Sequence, residues 1–231
     1  MLIQFPCTST IDIPLLWDKI IEVPVKEEYI IAAQIFANKM AIGGDTLYLK
    51  QDIGLTPETR DAQSYYSKVG EFCVYNHLIN RIKAIQDEWY ERDDHASNKE
   101  LQYLMKIKTD APDCKIYEAK DKSWAADVRV EHIGFHIKSY WSNPYDADKE
   151  SWVFQKYLNK RVDDVLDLEN ALCCFCTLDN KLEKALLFPP IRIGEITWGI
   201  PYSENHKHDK KAVYAKDNFQ KQIVEHLESK K

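Results

Sequence analysis

The chain has 231 residues, 45% of them hydrophobic, with 37 acidic against 31 basic side chains and a formal net charge of −6. That supplies one sizeable core, and the acidic balance excludes a protein that coats nucleic acid through general counterion release, which needs a surplus of Lys and Arg. No run approaches the roughly 18 apolar residues of a bilayer span, the start MLIQFPCTSTIDIP shows no secretory leader, and six cysteines do not make a disulfide scaffold, so a non-secreted protein of the reducing cytoplasm, with no membrane partner, is expected.

Residues Val25 to Met40 have helix-forming composition and run out at Gly43-Gly44, and a second long helix is expected from about Ala62 to Trp89. The texture then changes. Short segments rich in β-branched and aromatic residues predict strands at Lys115–Ala119, Trp124–Val130 and Phe135–Trp141. A helix is expected over Glu150–Leu158, a buried strand over Ala171–Leu178, and a further strand over Ile191–Trp198 after Pro189-Pro190. The polar stretch His206–Lys211 reads as an exposed loop. Asp217–Leu227 reads as a helix with Asp217 as N-cap and Phe219, Ile223, Val224 and Leu227 on one stripe. Together these elements predict one α/β domain over 1–231, with 1–60 a mostly helical N-terminal extension and 205–231 a C-terminal helical tail.

The chemistry concentrates in the stretch from Trp124 to Tyr140, which reads as a β-hairpin closing around Glu131 to Gly134. Directly opposed residues of an antiparallel pair share a face. Setting Val130 against Phe135 sets Val128 against Ile137, and the other face then carries Asp127 opposite Lys138 and Arg129 opposite His136. One face is core and the other is ionisable. On the helix before it, Glu71 lies on the same stripe as Val74, Tyr75, Leu78, Ile82 and Ile85, which places a carboxylate towards the core. Burying that charge costs several kcal/mol unless a positive group compensates it, and a metal ion is such a group.

The order Gly70-Glu71 on a helix, then Asp127, then His136-Ile137-Lys138 on a returning strand resembles the PD-(D/E)XK nuclease superfamily, over roughly Val69 to Gln155. The resemblance implies a restriction-endonuclease-like fold, a central mixed sheet flanked by helices, and a divalent-metal-dependent deoxyribonuclease, of prokaryotic or phage origin, that hydrolyses phosphodiester bonds. It implies Glu71, Asp127, His136 and the Ile137 carbonyl around a Mg²⁺ or Mn²⁺ ion, and Lys138 orienting or deprotonating the attacking water. Gln155 would position water or substrate, and Arg129 and Lys120 would contact the DNA backbone. Cutting both strands of a duplex would favour a homodimer.

Two positions depart from the family pattern: Ala126 stands where proline is usual, and His136 where an acid is usual. Imidazole adds no negative charge and prefers softer ions, which shifts the expectation towards Mn²⁺. A literal spelling of the motif, Pro112-Asp113 followed by Glu118-Ala119-Lys120, leaves only four residues between its acids, and Cys114-Lys115-Ile116-Tyr117 holds none of the Gly or Asn that so tight a turn favours. Cys173, Cys174 and Cys176 with His206 and His208 lack paired CxxC spacing for zinc, and no glycine-rich phosphate loop occurs. The competing expectations are a junction-, flap- or end-directed nuclease of the same fold, and a DNA-binding module whose site has degenerated.

Overall fold

A computed structural model describes residues 2–4, 10–12, 16–43, 57–92, 105–115, 126–131, 133–141, 150–155, 171–202, 204, 207 and 210–231. In chain order, β1 (Leu2–Gln4) pairs with β2 (Thr10–Asp12), β3 (Ile21–Pro24) leads into α1 (Glu27–Gly43), and the long α2 (Pro57–Arg92) follows. Next come β4 (Thr109–Asp110), β5 (Val128–Val130), β6 (Ile133–Trp141), β7 (Ser151–Gln155), β8 (Leu172–Leu178), β9 (Lys184–Leu187) and β10 (Ile191–Arg192). A 3₁₀ turn (Ile193–Glu195), β11 (Trp198–Gly199), β12 (Lys210–Tyr214), α3 (Ala215–Asn218) and α4 (Gln220–Glu228) complete the described elements.

The fold is built around β8, whose seven residues Leu172-Cys-Cys-Phe-Cys-Thr-Leu178 are all buried. A strand apolar on both faces needs a layer on each side. The main sheet runs β3-β9-β8-β6-β5-β4, with β10 also on β8; the β6–β8 pairing is parallel and the other pairings are antiparallel. On one face α1 and α2 close a core containing Val74, Leu78, Phe135, Ile137, Cys174 and Cys176. On the other, the small sheet β11-β12-β7 and the C-terminal helices close a second core around Trp152, Phe154, Phe175, Phe188 and Phe219. Trp152 fixes the two sheets together, its indole N–H donating to the Cys176 carbonyl at 3.2 Å. The mixed sheet flanked by helices matches the α/β expectation at that level. Among the described residues no helix is long and apolar enough to cross a membrane.

Several elements differ from the sequence expectation. Ser151–Gln155, expected within a helix, is strand β7, because pairing with β12 gives its backbone a ladder and its side chains alternate, with Trp152 and Phe154 buried and Val153 exposed. Lys210 and Lys211, expected in a loop, belong to that partner strand. The strand expected over Ile191–Trp198 is interrupted by the 3₁₀ turn. Asp217 lies inside α3 and does not cap α4, whose N-cap is Phe219; Phe219 and Ile223 are buried while Val224 and Leu227 stay exposed. Lys115 lies outside any strand, and 116–119 lies outside the described residues. The stretch expected as an N-terminal extension contributes edge strand β3 to the main sheet, and the C-terminal tail contributes β12.

The hairpin register is also corrected. Val128 pairs with Phe135, Arg129 with Gly134 and Val130 with Ile133, two residues away from the expected alignment. Val130 and Ile133 form the last pair before the turn, and Glu131 takes a left-handed φ of 52°, a conformation that suits a tight hairpin turn. Glu131 is held there by Lys108, whose N–H donates to its carboxylate at 2.6 Å while the Glu131 N–H donates to the Lys108 carbonyl at 3.0 Å. A shift of two preserves the pleat, so Val128, Val130, Phe135 and Ile137 still face the helices together.

Candidate functional site

Glu71 reaches the sheet because Gly70 beside it lets α2 approach β6 closely: a Cβ at Gly70 would lie 2.7 Å from Ser139 Cβ. Glu71 is buried, 5% exposed as a residue. Lys68, one turn earlier on the same stripe, donates to Glu71 Oε2 at 2.5 Å and to the Asp113 carbonyl at 2.7 Å, and Ser67 Oγ lies 3.4 Å from Oε1. Burial, then the nearby Asp127 charge, push the Glu71 carboxyl up to about 8, and Lys68 and Ser67 offset this only in part.

Asp127 sits where the hairpin opens. In this register the N–H and carbonyl of Ile137 both point towards the β5 edge, but β5 ends at Val128 and the carboxylate of Asp127 takes the Ile137 N–H instead, at 2.7 Å. Asp127 thereby leaves the strand alternation. Its charge acts on Glu71 and on Cys174, both on the helix side of the sheet. Beside it opens a cleft of about 510 Å³ lined by Asp110, Ala111, Pro112, Asp113, Cys114, Lys115, Ala126, Asp127 and Arg129. The letter-by-letter motif thus contributes Asp113 to the border of this region, through its carbonyl on Lys68 and its place in the cleft, whereas Glu118 and Lys120 lie outside the described residues.

The expected site residues therefore divide. Asp127 takes the Ile137 N–H and its charge acts on Glu71, and Arg129, exposed and paired with Gly134, lines the adjoining cleft. His136 and Lys138 are set against Cys173 and Phe175 in the parallel register with β8, the face that meets the second core. There His136 is buried and the Lys138 ammonium lies 4.6 Å from the Phe154 ring centroid. Gln155 ends β7 opposite Lys210. Cys173, Cys174 and Cys176 are buried thiols outside any disulfide, and burial drives Cys174 and Cys176 far above the usual thiol range; His206 and His208 lie outside the described residues.

Sequence reasoning missed Lys68 and Lys115. The signal for Lys68 was present, since a lysine three residues before a core-facing glutamate shares its face. Nothing in the local pattern around Lys115 marks it, because the cleft forms only when the 110–115 segment passes the end of β5.

A divalent ion fits this site in part. Two carboxylates and a main-chain carbonyl are the hard oxygen donors that Mg²⁺ and Mn²⁺ take, and the buried Glu71 feels the Asp127 charge with only Lys68 and Ser67 to offset it. Among the described residues no three Asp, Glu, His or Cys side chains group as a ready-made cage, so the main chain and water would complete the shell.

The raised Glu71 carboxyl has a measurable consequence. Its folded value of about 8 lies above the ordinary 4.5, so between those values the unfolded chain releases a proton that the folded chain keeps. Stability from this group is full below the lower value and falls as pH rises through the window, by up to ~1.4 kcal/mol per pH unit. Glu71→Gln is expected to flatten that fall. Urea unfolding of both proteins from pH 5 to 8 should show the variant gaining on the wild type by a few kcal/mol across the range; parallel curves would mean that Glu71 titrates as an ordinary carboxyl.

Comparison of the chain with family models, with curated proteins and with solved structures found no match.

Proposed function

We propose that this protein is a divalent-metal-dependent deoxyribonuclease with a restriction-endonuclease-like sheet. The observation that carries the reading is the buried Glu71 carboxyl within reach of the charge of half-buried Asp127, which itself caps the Ile137 N–H where β5 parts from β6. Glu71, Asp127 and the Ile137 carbonyl would hold the ion. When bound, Mg²⁺ or Mn²⁺ supplies charge stabilisation at the phosphate and lowers the pKa of an attacking water. The chain's own groups bind and orient. Arg129 and Lys115 line the cleft that leads to Asp127, and their positive charges suit a phosphodiester backbone crossing an acidic surface. Asp127 fixes the His136–Ile137 peptide unit by accepting its N–H. His136 and Lys138 stand on the other face of the same strand.

A DNA-binding module with a degenerate site is the second reading, favoured by the side of the sheet on which His136 and Lys138 stand. Incubating the protein with supercoiled plasmid, linear duplex, single strands and branched DNA under Mg²⁺, Mn²⁺ or EDTA separates the two. Cleavage under Mn²⁺ or Mg²⁺ that EDTA abolishes is expected. DNA retention without any cutting would replace the nuclease by the binding module, and the preferred substrate would distinguish a general endonuclease from a junction- or end-directed one.

A further inference from the structure

Lys68 is 7% exposed, and its ammonium is held by the Glu71 carboxylate, the Asp113 carbonyl and the Phe36 ring, whose centroid lies 4.5 Å away. A lysine so desolvated stands only because these groups replace its water. Its position matters. The ammonium lies between Glu71, on the helix side of the sheet, and the 110–115 segment that walls the cleft, whereas the Lys138 ammonium lies over Phe154 on the opposite face.

We propose that Lys68 is the working ammonium of this site: it occupies the Glu71 carboxylate in exchange with a divalent ion, and once displaced it faces the phosphate in the adjoining cleft. The proposal rests on the reading that Glu71 and Asp127 take a divalent ion. Charge drives the exchange. A unit charge and a double charge cannot share Oε2 without strong repulsion in a region this dry, and the flexible four-carbon stem of lysine can swing while keeping its Asp113 contact. The displaced ammonium is then next to Asp113 and Lys115, at the cleft wall where a phosphate would pass Asp127.

The test begins with Mn²⁺ alone, titrated calorimetrically into the full chain without DNA. Lys68→Met removes the competing charge and is expected to bind Mn²⁺ at least about tenfold more tightly than the wild type. Lys68→Arg keeps the charge and is expected to bind like the wild type. Equal Mn²⁺ affinity in Lys68→Met and wild type overturns the exchange, while no Mn²⁺ uptake by either protein overturns the acidic-site reading and the exchange with it. A measurement on the wild type alone guards against a variant that fails to fold: amine-reactive labelling mapped by mass spectrometry should be slow at Lys68 and rise at least about fivefold on adding Mn²⁺, with no rise at exposed Lys26. Unchanged Lys68 labelling in the Mn²⁺-bound protein overturns the proposal. With DNA present, Lys68→Met is expected to cut at least about a hundredfold more slowly than the wild type despite its tighter ion; undiminished cutting overturns the phosphate role.

Discussion

Asp127→Asn is expected to lower divalent-dependent DNA cleavage by at least about 10²-fold, the scale of removing a charge that supports a transition state, while leaving the unfolding midpoint near that of the wild type. The choice of asparagine follows from the geometry. Asp127 Oδ2 accepts the Ile137 N–H at 2.7 Å, replacing the strand partner that β5 no longer supplies, and an asparagine oxygen can accept the same bond. What asparagine removes is the negative charge that Glu71 feels and that a divalent ion would need. Asp127→Ala removes both and orphans a main-chain donor, at a cost of about 1–3 kcal/mol. Comparing the two variants by plasmid cleavage and thermal unfolding separates the roles. Full cleavage by Asp127→Asn would remove the carboxylate from the chemistry and leave it only as a backbone cap. A large loss of stability in Asp127→Asn would mean instead that the charge itself holds the strand ends together.

What could be read from the sequence was decided by how local each determinant is. The long helices and the all-apolar run of β8 depend on composition over a single segment, and both appear close to where composition puts them. Glu71 on the core-facing stripe is likewise a matter of helical spacing, and it is buried with Val74, Leu78, Ile82 and Ile85. Ser151–Gln155 is different. Its strand identity comes from a partner, Lys210–Tyr214, more than fifty residues along the chain, although the alternation of Trp152 and Phe154 with Val153 carried a period-two signal. The placement of Asp127 and Lys138 on one face assumed that strand alternation continues through Asp127. It does not, because β5 ends at Val128 and the chain before it leaves the ladder while staying close to β6: a Cβ added at Gly134 would lie 2.6 Å from the Ala126 Cβ, so the bare glycine makes room for that path. A register can be inferred from hydrophobic pairing, but the residue at which two strands part depends on a side chain outbidding the backbone for one N–H.

Gly70→Val is expected to destabilise the fold by about 3 kcal/mol, near the upper end of what overpacking costs, and to weaken Mn²⁺ binding at the same time. In an exposed helix the substitution would be favourable, since valine is a better helix former than glycine by a few tenths of a kcal/mol. Here the missing side chain is what allows α2 to lie against β6. A Cβ at Gly70 would collide with the Ser139 hydroxyl, lie 2.7 Å from Ser139 Cβ and press 3.4 Å from Cys176 Sγ. Ser139 Cβ is fixed to the strand and cannot rotate aside, so the helix itself must move, and the residue carried outwards with it is Glu71. Fold stability and ion binding are therefore coupled through one contact. Ser139→Gly opens space opposite the new side chain, and the double variant is expected to recover at least about 1 kcal/mol beyond additivity together with part of the Mn²⁺ affinity. Denaturant unfolding and Mn²⁺ titration of the four proteins of this cycle provide the measurement. If Gly70→Val unfolds at the wild-type midpoint, α2 does not approach the sheet at this point, and the route by which Glu71 reaches Asp127 would have to be sought elsewhere along the helix.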